Sequence, residues 1–460
     1  MRIRKYDFDY SRRVFMERTA QGAFAVGVLA PLWPLVARGA SIAKAYPDEL
    51  LSVEMYTKGK IKTGDYVTAA NVDAVKELLD PITFRQIKEM GRKIKIVPTV
   101  TDAAELYPTG FLDATLKNKG KAKIASDGNI VEAATGGPWI GGLPFLEPKD
   151  GLEAIANLTL SWGRHDYCQY AIRQWDIAPD GTQAYQYDFV WAELQAQARV
   201  DGGTFQNRKD LLRLQSVWFT SPQDVSGSSF LSIWYYDQRK FPDLYGYLPA
   251  FRRVRQFPTN QRFEPLLPGI TWFLSDAWAA GDPMLTWGNY KIVGRGPMLG
   301  AVSQNWYGSR KNWEAPVHGG PKGLTFLDTN FSMCPECIVL EAEPTGYPRA
   351  PVGKKRVWID VRNHQFVAYI TFDRRGEIWK SFEAGWGRYK DGDVVMKDDR
   401  GQPEWSWTYV MSHDIQANRM SRAQHTQTTS GGYRSVFATE GVDVYNKYLT
   451  VQAIQRLGAA

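Results

Sequence analysis

The sequence predicts a mainly β fold with accessory helices: one large, curved antiparallel sheet, an incomplete β-barrel with a helical plug. Three observations carry this. From Leu211 to Pro258 the chain runs strand, turn, strand, turn, strand with no helical period between them, which is the pattern of antiparallel pairing. Seventeen Trp and 23 Tyr among 460 residues favour strands, whose pleated surface suits aromatic side chains. No fixed-period repeat, low-complexity run or linker interrupts the chain, which argues for a single domain over residues 46–460.

Residues 1–45 read as an address. Ser11-Arg12-Arg13-Val14-Phe15-Met16 matches the twin-arginine export signature, with Arg12 and Arg13 as its pair. The apolar stretch Gly22 to Val36 follows. It is too short to span a bilayer, which takes about 20 residues, and Pro31 and Pro34 interrupt it. Small residues then offer cleavage points at Ala37-Arg38-Gly39 or Ala43-Lys44-Ala45, the cut after Ala45 being preferred, and no Cys follows to take a lipid anchor. The expectation is export, already folded, to the periplasm. A strand-rich chain gains from folding before exposure, because unpaired strands aggregate while folding is slow. The formal charge of +7 is mostly this segment's: without its eight basic and three acidic residues, 48 basic stand against 46 acidic. Nucleic acid binding is therefore not expected.

In order along the chain, Asn71 to Leu79 reads as a short amphipathic helix capped by Asn71, with Val72, Val75 and Leu79 on one face. A second helix runs from Thr83 to Met90 and stops at Gly91; Lys93 to Pro98 then alternates as a strand. Phe111 to Lys117 is helix-prone. The glycine-rich run Gly136 to Phe145 lacks the Lys-Ser/Thr of a phosphate loop and reads as an ordered loop lining the mouth of the fold. Strands recur from Gln183. In the central hairpin, Leu212, Leu214, Ser216 and Trp218 alternate with Arg213, Gln215, Val217 and Phe219. Gly269 to Asp276 and Pro283 to Tyr290, continued by Lys291 to Gly294, read as strands. Cys337 to Ala342, Arg356 to Asp360, Phe366 to Phe372 and Glu377 to Phe382 are further strands, the last two joined by the turn Asp373-Arg374-Arg375-Gly376.

Little of this spells catalysis. Five His (His165, His318, His364, His413, His425) show no metal-ligand spacing, and no G-x-S-x-G is present. Cys334-Pro335-Glu336-Cys337 precedes a strand rather than a helix, so a structural disulfide fits it better than a redox site. Cys168 is then left unpaired and buried. No cofactor or metal is expected. The residual signal is aromatic: Trp218, Phe230, Trp234, Tyr236, Trp358 and Trp379 all fall on strands.

The run SPQDVSGSSFLSIWYYD…YLPAFRRVR, together with VWIDVRNHQFVAYITFDRRGEIWK, resembles the LolA/LolB-like superfamily of outer-membrane lipoprotein-sorting factors. Within it, the chain is similar to a proteobacterial branch of unknown function; NVDAVKELL, GRKIKIVP and the GG-x-PF element at Gly141 to Phe145 carry that likeness. The resemblance implies a lipoprotein-carrier-like sheet with an apolar concavity that binds an acyl chain. Trp218, Phe230, Trp234, Tyr236 and Trp358 would line it, and Arg252, Arg253 and Arg255 would hold an anionic headgroup or dock a partner at the rim. It also implies partners: an inner-membrane efflux-type permease and an outer-membrane protein, with the outer membrane as a place of association. Two other classes remain open. One is a periplasmic enzyme with a cofactor loaded before export; the other is an assembly factor whose sheet edge pairs with a client.

Overall fold

The structure, a computed structural model, describes residues 41–303, 313–398, 401–439 and 441–459, together with Trp33. The twin-arginine pair Arg12 and Arg13 lies outside the described residues. Among the described residues, twenty-one strands form in chain order: β1 (Tyr66–Val67), β2 (Ile94–Ile96), β3 (Ala122–Ile124), β4 (Ile130–Glu132), β5 (Tyr167–Ile177), β6 (Gln183–Gln195) and β7 (Leu211–Ser221). Next come β8 (Ser229–Tyr235), β9 (Asp243–Leu248), β10 (Arg253–Phe257), β11 (Gly288–Val302), β12 (Val317–His318), β13 (Phe326–Leu327) and β14 (Thr329–Glu343). The last are β15 (Val352–Asp360), β16 (Phe366–Asp373), β17 (Ile378–Arg388), β18 (Lys390–Asp391), β19 (Val394–Val395), β20 (Trp405–Asp414) and β21 (Arg419–His425).

Fifteen of them make one sheet, in the order β1-β2-β14-β15-β16-β17-β20-β21-β5-β6-β7-β8-β9-β10, with β11 beside β14. Pairing is antiparallel except where β2 meets β14 and where β11 touches β17. The sheet does not close: β10 is a free edge, as the incomplete barrel requires. Its long strands are buried on both faces, as in β5 and β7, where Gln169, Gln174, Asp176, Arg213 and Gln215 are buried among the apolar side chains.

Helices fill the concave side. Thr109–Asn118 was legible as Phe111 to Lys117; Gly151–Leu160 was not, and every residue but Leu152 and Glu153 on it is buried. Its start is fixed by Asp150, whose carboxylate accepts the N–H of Glu153 at 2.9 Å. Pro81–Glu89 is capped the same way by Asp80. Asn71 does not cap: its side chain accepts the N–H of Thr68 (2.8 Å), and the turn Val72–Leu78 is 3₁₀. Residues 269–276 and 283–287 are corrected from strand to plug. They form the 3₁₀ turns Leu274–Ala279 and Met284–Thr286 inside the sheet, and β11 begins only at Gly288. The C-terminal helices Val444–Tyr448 and Val451–Ala459 cover the outer face of β7 to β9.

Candidate functional site

The concave interior is occupied by the protein itself. Trp162, Trp191, Trp234, Trp272, Trp278, Trp386, Trp405 and Trp407 join one cluster there. Some polar groups inside it are matched, while the indole N–H groups of Trp234, Trp386 and Trp407 have no hydrogen-bond partner among the described residues. Glu193 accepts the indole N–H groups of Trp191 and Trp278, each at 2.8 Å, and Gln174 accepts that of Trp272 at 2.8 Å. Arg213 lies between Trp162 and Trp234, its guanidinium 4.3 and 5.0 Å from their ring centres. Burial pulls Arg213 down to about 9 against the pull of Glu193. The plug is tied in by charge. Arg262 and Asp282, both 0% exposed, pair at 2.7 Å; Lys380 reaches Asp276 at 3.2 Å; Lys355 donates to the Ala279 carbonyl at 2.8 Å. Among the described residues, a cavity of about 40 Å³ lies between Trp191, Trp272, Trp278 and Trp407. By this measure one water needs about 10–15 Å³. Side chains of the interior cluster occupy most of the expected apolar hollow.

The residues expected to line it are not brought together. Phe230, Trp234 and Tyr236 face the interior as packing: Trp234 is 0% exposed, and the Tyr236 hydroxyl accepts the N–H of Trp139 and donates to the Ile130 carbonyl, both at 2.6 Å. Trp218 points to the other face, stacked on Tyr448 at 5.1 Å beneath the C-terminal helices. Trp358 lies in a separate cluster with Cys334, Cys337 and Val339. The reason is the two-residue period: one step along a strand changes the face, and here both faces are covered. A register shift between Leu211 and Arg213 also splits the expected row, so Leu212 joins the interior and Leu214 the outer cluster. Arg252, Arg253 and Arg255 are exposed at the free edge β10, with Arg255 over the Phe251 ring at 4.2 Å.

Cys334 and Cys337 are buried free thiols on β14, not the expected disulfide. They hydrogen-bond each other, and burial pushes the Cys337 thiol up. A strained disulfide is unnecessary where both side chains already pack as small apolar groups. Cys168 is likewise a buried thiol, 3.5 Å from Glu193. Burial holds His364, His413 and His425 uncharged, at about 3, 4 and 3. Among the described residues, no group of three or more His, Cys, Asp or Glu is placed to hold a metal.

The roomy site lies at one end of the sheet. A cavity of about 550 Å³ opens between the first turn of helix Thr109–Asn118, the start of β5, the segment after β6, and the residues Asp398, Gln402, Pro403, Phe437, Ala438 and Thr439. Phe111, Val200, Pro403 and Phe437 give it apolar wall; Arg164, Asp166, Arg199 and Asp201 give it charge. The glycine-rich loop sets two of these walls. Gly141 and Gly142 take positive φ (109° and 76°), and a Cβ at either would strike the backbone of Arg199 or Thr115. The loop therefore wedges the helix and the Arg199 segment at fixed positions. Asp166 accepts the N–H groups of Val200 (2.6 Å) and Asp201 (3.2 Å), yet burial pushes its carboxyl up. Arg199 pairs with Asp201 at 2.5 Å and Asp166 at 3.5 Å.

Arg164 is the unusual group. It is 2% exposed, in the left-handed region at φ 62°, and makes no ion pair within the described residues. One hydrogen bond holds it, to the Asn363 carbonyl at 2.5 Å, while Nε and Nη1 have no partner. Rings surround it instead: Phe111 at 4.9 Å, Tyr107 at 5.5 Å and Trp405 at 5.8 Å. Burial lowers it to about 10. Sequence reasoning missed this residue, since a lone Arg before a strand carries no local signal.

A curved, incompletely closed sheet wrapped around its own plug, with a mixed polar and aromatic cavity at its end, defines a mainly β, incomplete-barrel fold. Residues 66–455 match the family described as "Protein of unknown function (DUF1329)", and the chain belongs to that family. This is the kind of branch to which the hairpin resemblance pointed. Among solved structures, the chain is similar to a putative outer-membrane lipoprotein-sorting protein domain from Vibrio parahaemolyticus, at 13% identity over 63% of this chain and 92% of that one, TM-score 0.40. It is also similar to a DUF1329 family protein from Desulfovibrio piger, at 12% identity over 64% and 95%, TM-score 0.39. A LolA superfamily protein from Nitrosomonas europaea is similar at 13% identity over 61% and 92%, TM-score 0.35. No curated protein matches the chain. No helix among the described residues is long and apolar enough to cross a membrane.

Proposed function

We propose that this is an exported, periplasmic binding or carrier protein without covalent catalysis, whose ligand is a lipid or other largely hydrophobic molecule. The ligand enters the end cavity rather than the barrel interior. The observation that carries the reading is that cavity: about 550 Å³, mixed in lining, beside an aromatic-packed interior whose cavity between Trp191, Trp272, Trp278 and Trp407 measures about 40 Å³. Ligand pockets run from about 300 to 1,000 Å³, and apolar walls with a few polar groups are their usual composition. Phe111, Val200 and Phe437 supply apolar contact, worth about 25 cal/mol per Å² removed from water, and Arg199 and Asp166 orient a polar end. Hand-over to an efflux-type permease or an outer-membrane protein is part of the proposal.

Native mass spectrometry with lipid extraction, on protein purified from periplasm, tests it. A co-purifying hydrophobic molecule is expected, and Gly110→Phe, which places a ring in the cavity from the first turn of its helix, should abolish it. A ligand that survives Gly110→Phe overturns the site; a metal or chromophore in place of a ligand favours an enzyme.

A further inference from the structure

Trp33 lies inside the apolar stretch Gly22 to Val36 of the export segment, yet it is 0% exposed and belongs to the interior cluster. Its ring stacks on His364, with centres 6.1 Å apart and planes at 8°, and stands 6.4 Å from Tyr107. Its indole N–H donates to the Leu146 carbonyl at 3.1 Å. A segment that export removes is therefore filling a slot in the body of the protein.

The walls of that slot are held by groups other than Trp33. His364 Nε2 meets the Leu146 carbonyl at 3.0 Å, and Nδ1 meets the Asn157 amide nitrogen at 3.2 Å. A carbonyl only accepts, so Nε2 carries the proton and Nδ1 receives the Asn157 N–H: the ring is neutral and fixed in both position and tautomer. Burial, which holds it at about 3, agrees. Asn157 is itself anchored to the N–H and the carbonyl of Phe145, at 3.0 and 2.7 Å. Tyr107 donates to the Arg362 carbonyl at 2.5 Å. A cavity collapses on losing its occupant only as far as its walls can relax, and hydrogen bonds to backbone hold these walls on both sides.

The slot adjoins the end cavity. Tyr107 stacks on Phe111 at 6.5 Å, Phe111 lines the cavity, and the guanidinium of Arg164 covers both rings. We propose that the Trp33 slot is an inner compartment of the ligand site, vacated when the export segment is cleaved, and that it takes a flat, uncharged ring bearing one N–H or O–H donor. This rests on the proposed export and binding function. The stacked His364 face selects flatness; the Leu146 carbonyl, which loses the Trp33 donor, selects a donor; among the described residues no acidic side chain hydrogen-bonds Trp33 or His364, which disfavours a cation. Leaving a full Trp volume empty is unfavourable, so a ring-bearing ligand gains twice, by burial and by closing a void.

Indole is the probe, and three proteins are compared by calorimetry and ligand-observed NMR: the processed periplasmic form, the full-length chain retained in the cytoplasm by Arg12→Lys and Arg13→Lys, and that retained chain carrying Trp33→Gly. Intact mass fixes the N-terminus of each. The processed form and the Trp33→Gly chain should bind indole saturably, and the retained parent at least tenfold more weakly. Absence of indole binding to a folded Trp33→Gly chain overturns the slot. A periplasmic protein whose mass still includes Trp33 overturns the cleavage and the vacating step with it, whatever Trp33→Gly shows. Loss of lipid co-purification under Gly110→Phe reads the outer cavity alone, so failure of the binding function is separable from failure of the slot.

Discussion

The pair Arg262–Asp282 tests whether the interior is plugged. Both side chains are 0% exposed; Nε to Oδ1 is 2.7 Å, and Arg262 Nη2 also donates to the Gly281 carbonyl. Asp282 Oδ2 accepts from Ser275 Oγ and from the Trp287 indole N–H at 2.9 Å. Asp282→Ala removes the acceptor of three donors and leaves a guanidinium in a water-free site against the Trp234 ring, 5.4 Å away. Breaking a buried pair from one side costs about 3–5 kcal/mol, because the surviving charge keeps its desolvation penalty. Asp282→Leu with Arg262→Met removes both charges at similar volume and should recover most of that loss. Guanidinium unfolding followed by Trp fluorescence gives the numbers, with the transition midpoint falling and the slope held. A loss below about 1 kcal/mol for Asp282→Ala would mean that water reaches Arg262. The interior would then be open, and the apolar hollow would return as the ligand site.

Further expectations concern pH, redox state and the free edge. Burial holds Asp176 at about 7 instead of 3.8, with Oδ2 unpartnered, so native protein binds a proton that the unfolded chain releases. That contribution is fully present below pH 3.8 and is lost as pH rises to about 7, above which the buried charge costs up to about 4 kcal/mol. Asp176→Asn should therefore stabilise the protein at pH 8 and lose that advantage steadily towards pH 4, read from unfolding curves across the range. Thiol titration of protein purified without reductant should find Cys168, Cys334 and Cys337 all reactive, but only after denaturation; one reactive thiol would restore the disulfide. Replacing Arg252, Arg253 and Arg255 by Ser on the free edge should speed aggregation by light scattering without lowering stability, since edge charges oppose strand addition. Unchanged scattering would assign those charges to an anionic partner instead.

Local chemistry reaches far in this chain. The alternation and turns of residues 211–258 are enough to give β7 to β10, since strand period and turn preference act over a few residues. The same holds for the helix at Phe111 to Lys117 and for β14 to β17. The motif at Arg12 and Arg13 speaks for export at the same local level. Which face a side chain meets is another matter. Trp218 and Trp234 look alike in sequence, but one lies under the C-terminal helices and the other against Arg213 and Arg262. Residues 269–276 and 283–287 look like strand, yet become plug because Asp276 and Asp282 find Lys380 and Arg262 in the interior. Arg164 has no meaning until Tyr107, Phe111, Trp405 and Asn363 surround it. The sequence alone determined a large, aromatic sheet, because those features are local. Only the tertiary structure decided that the hollow is full and that the free space lies at its end, because burial is fixed by neighbours far apart along the chain.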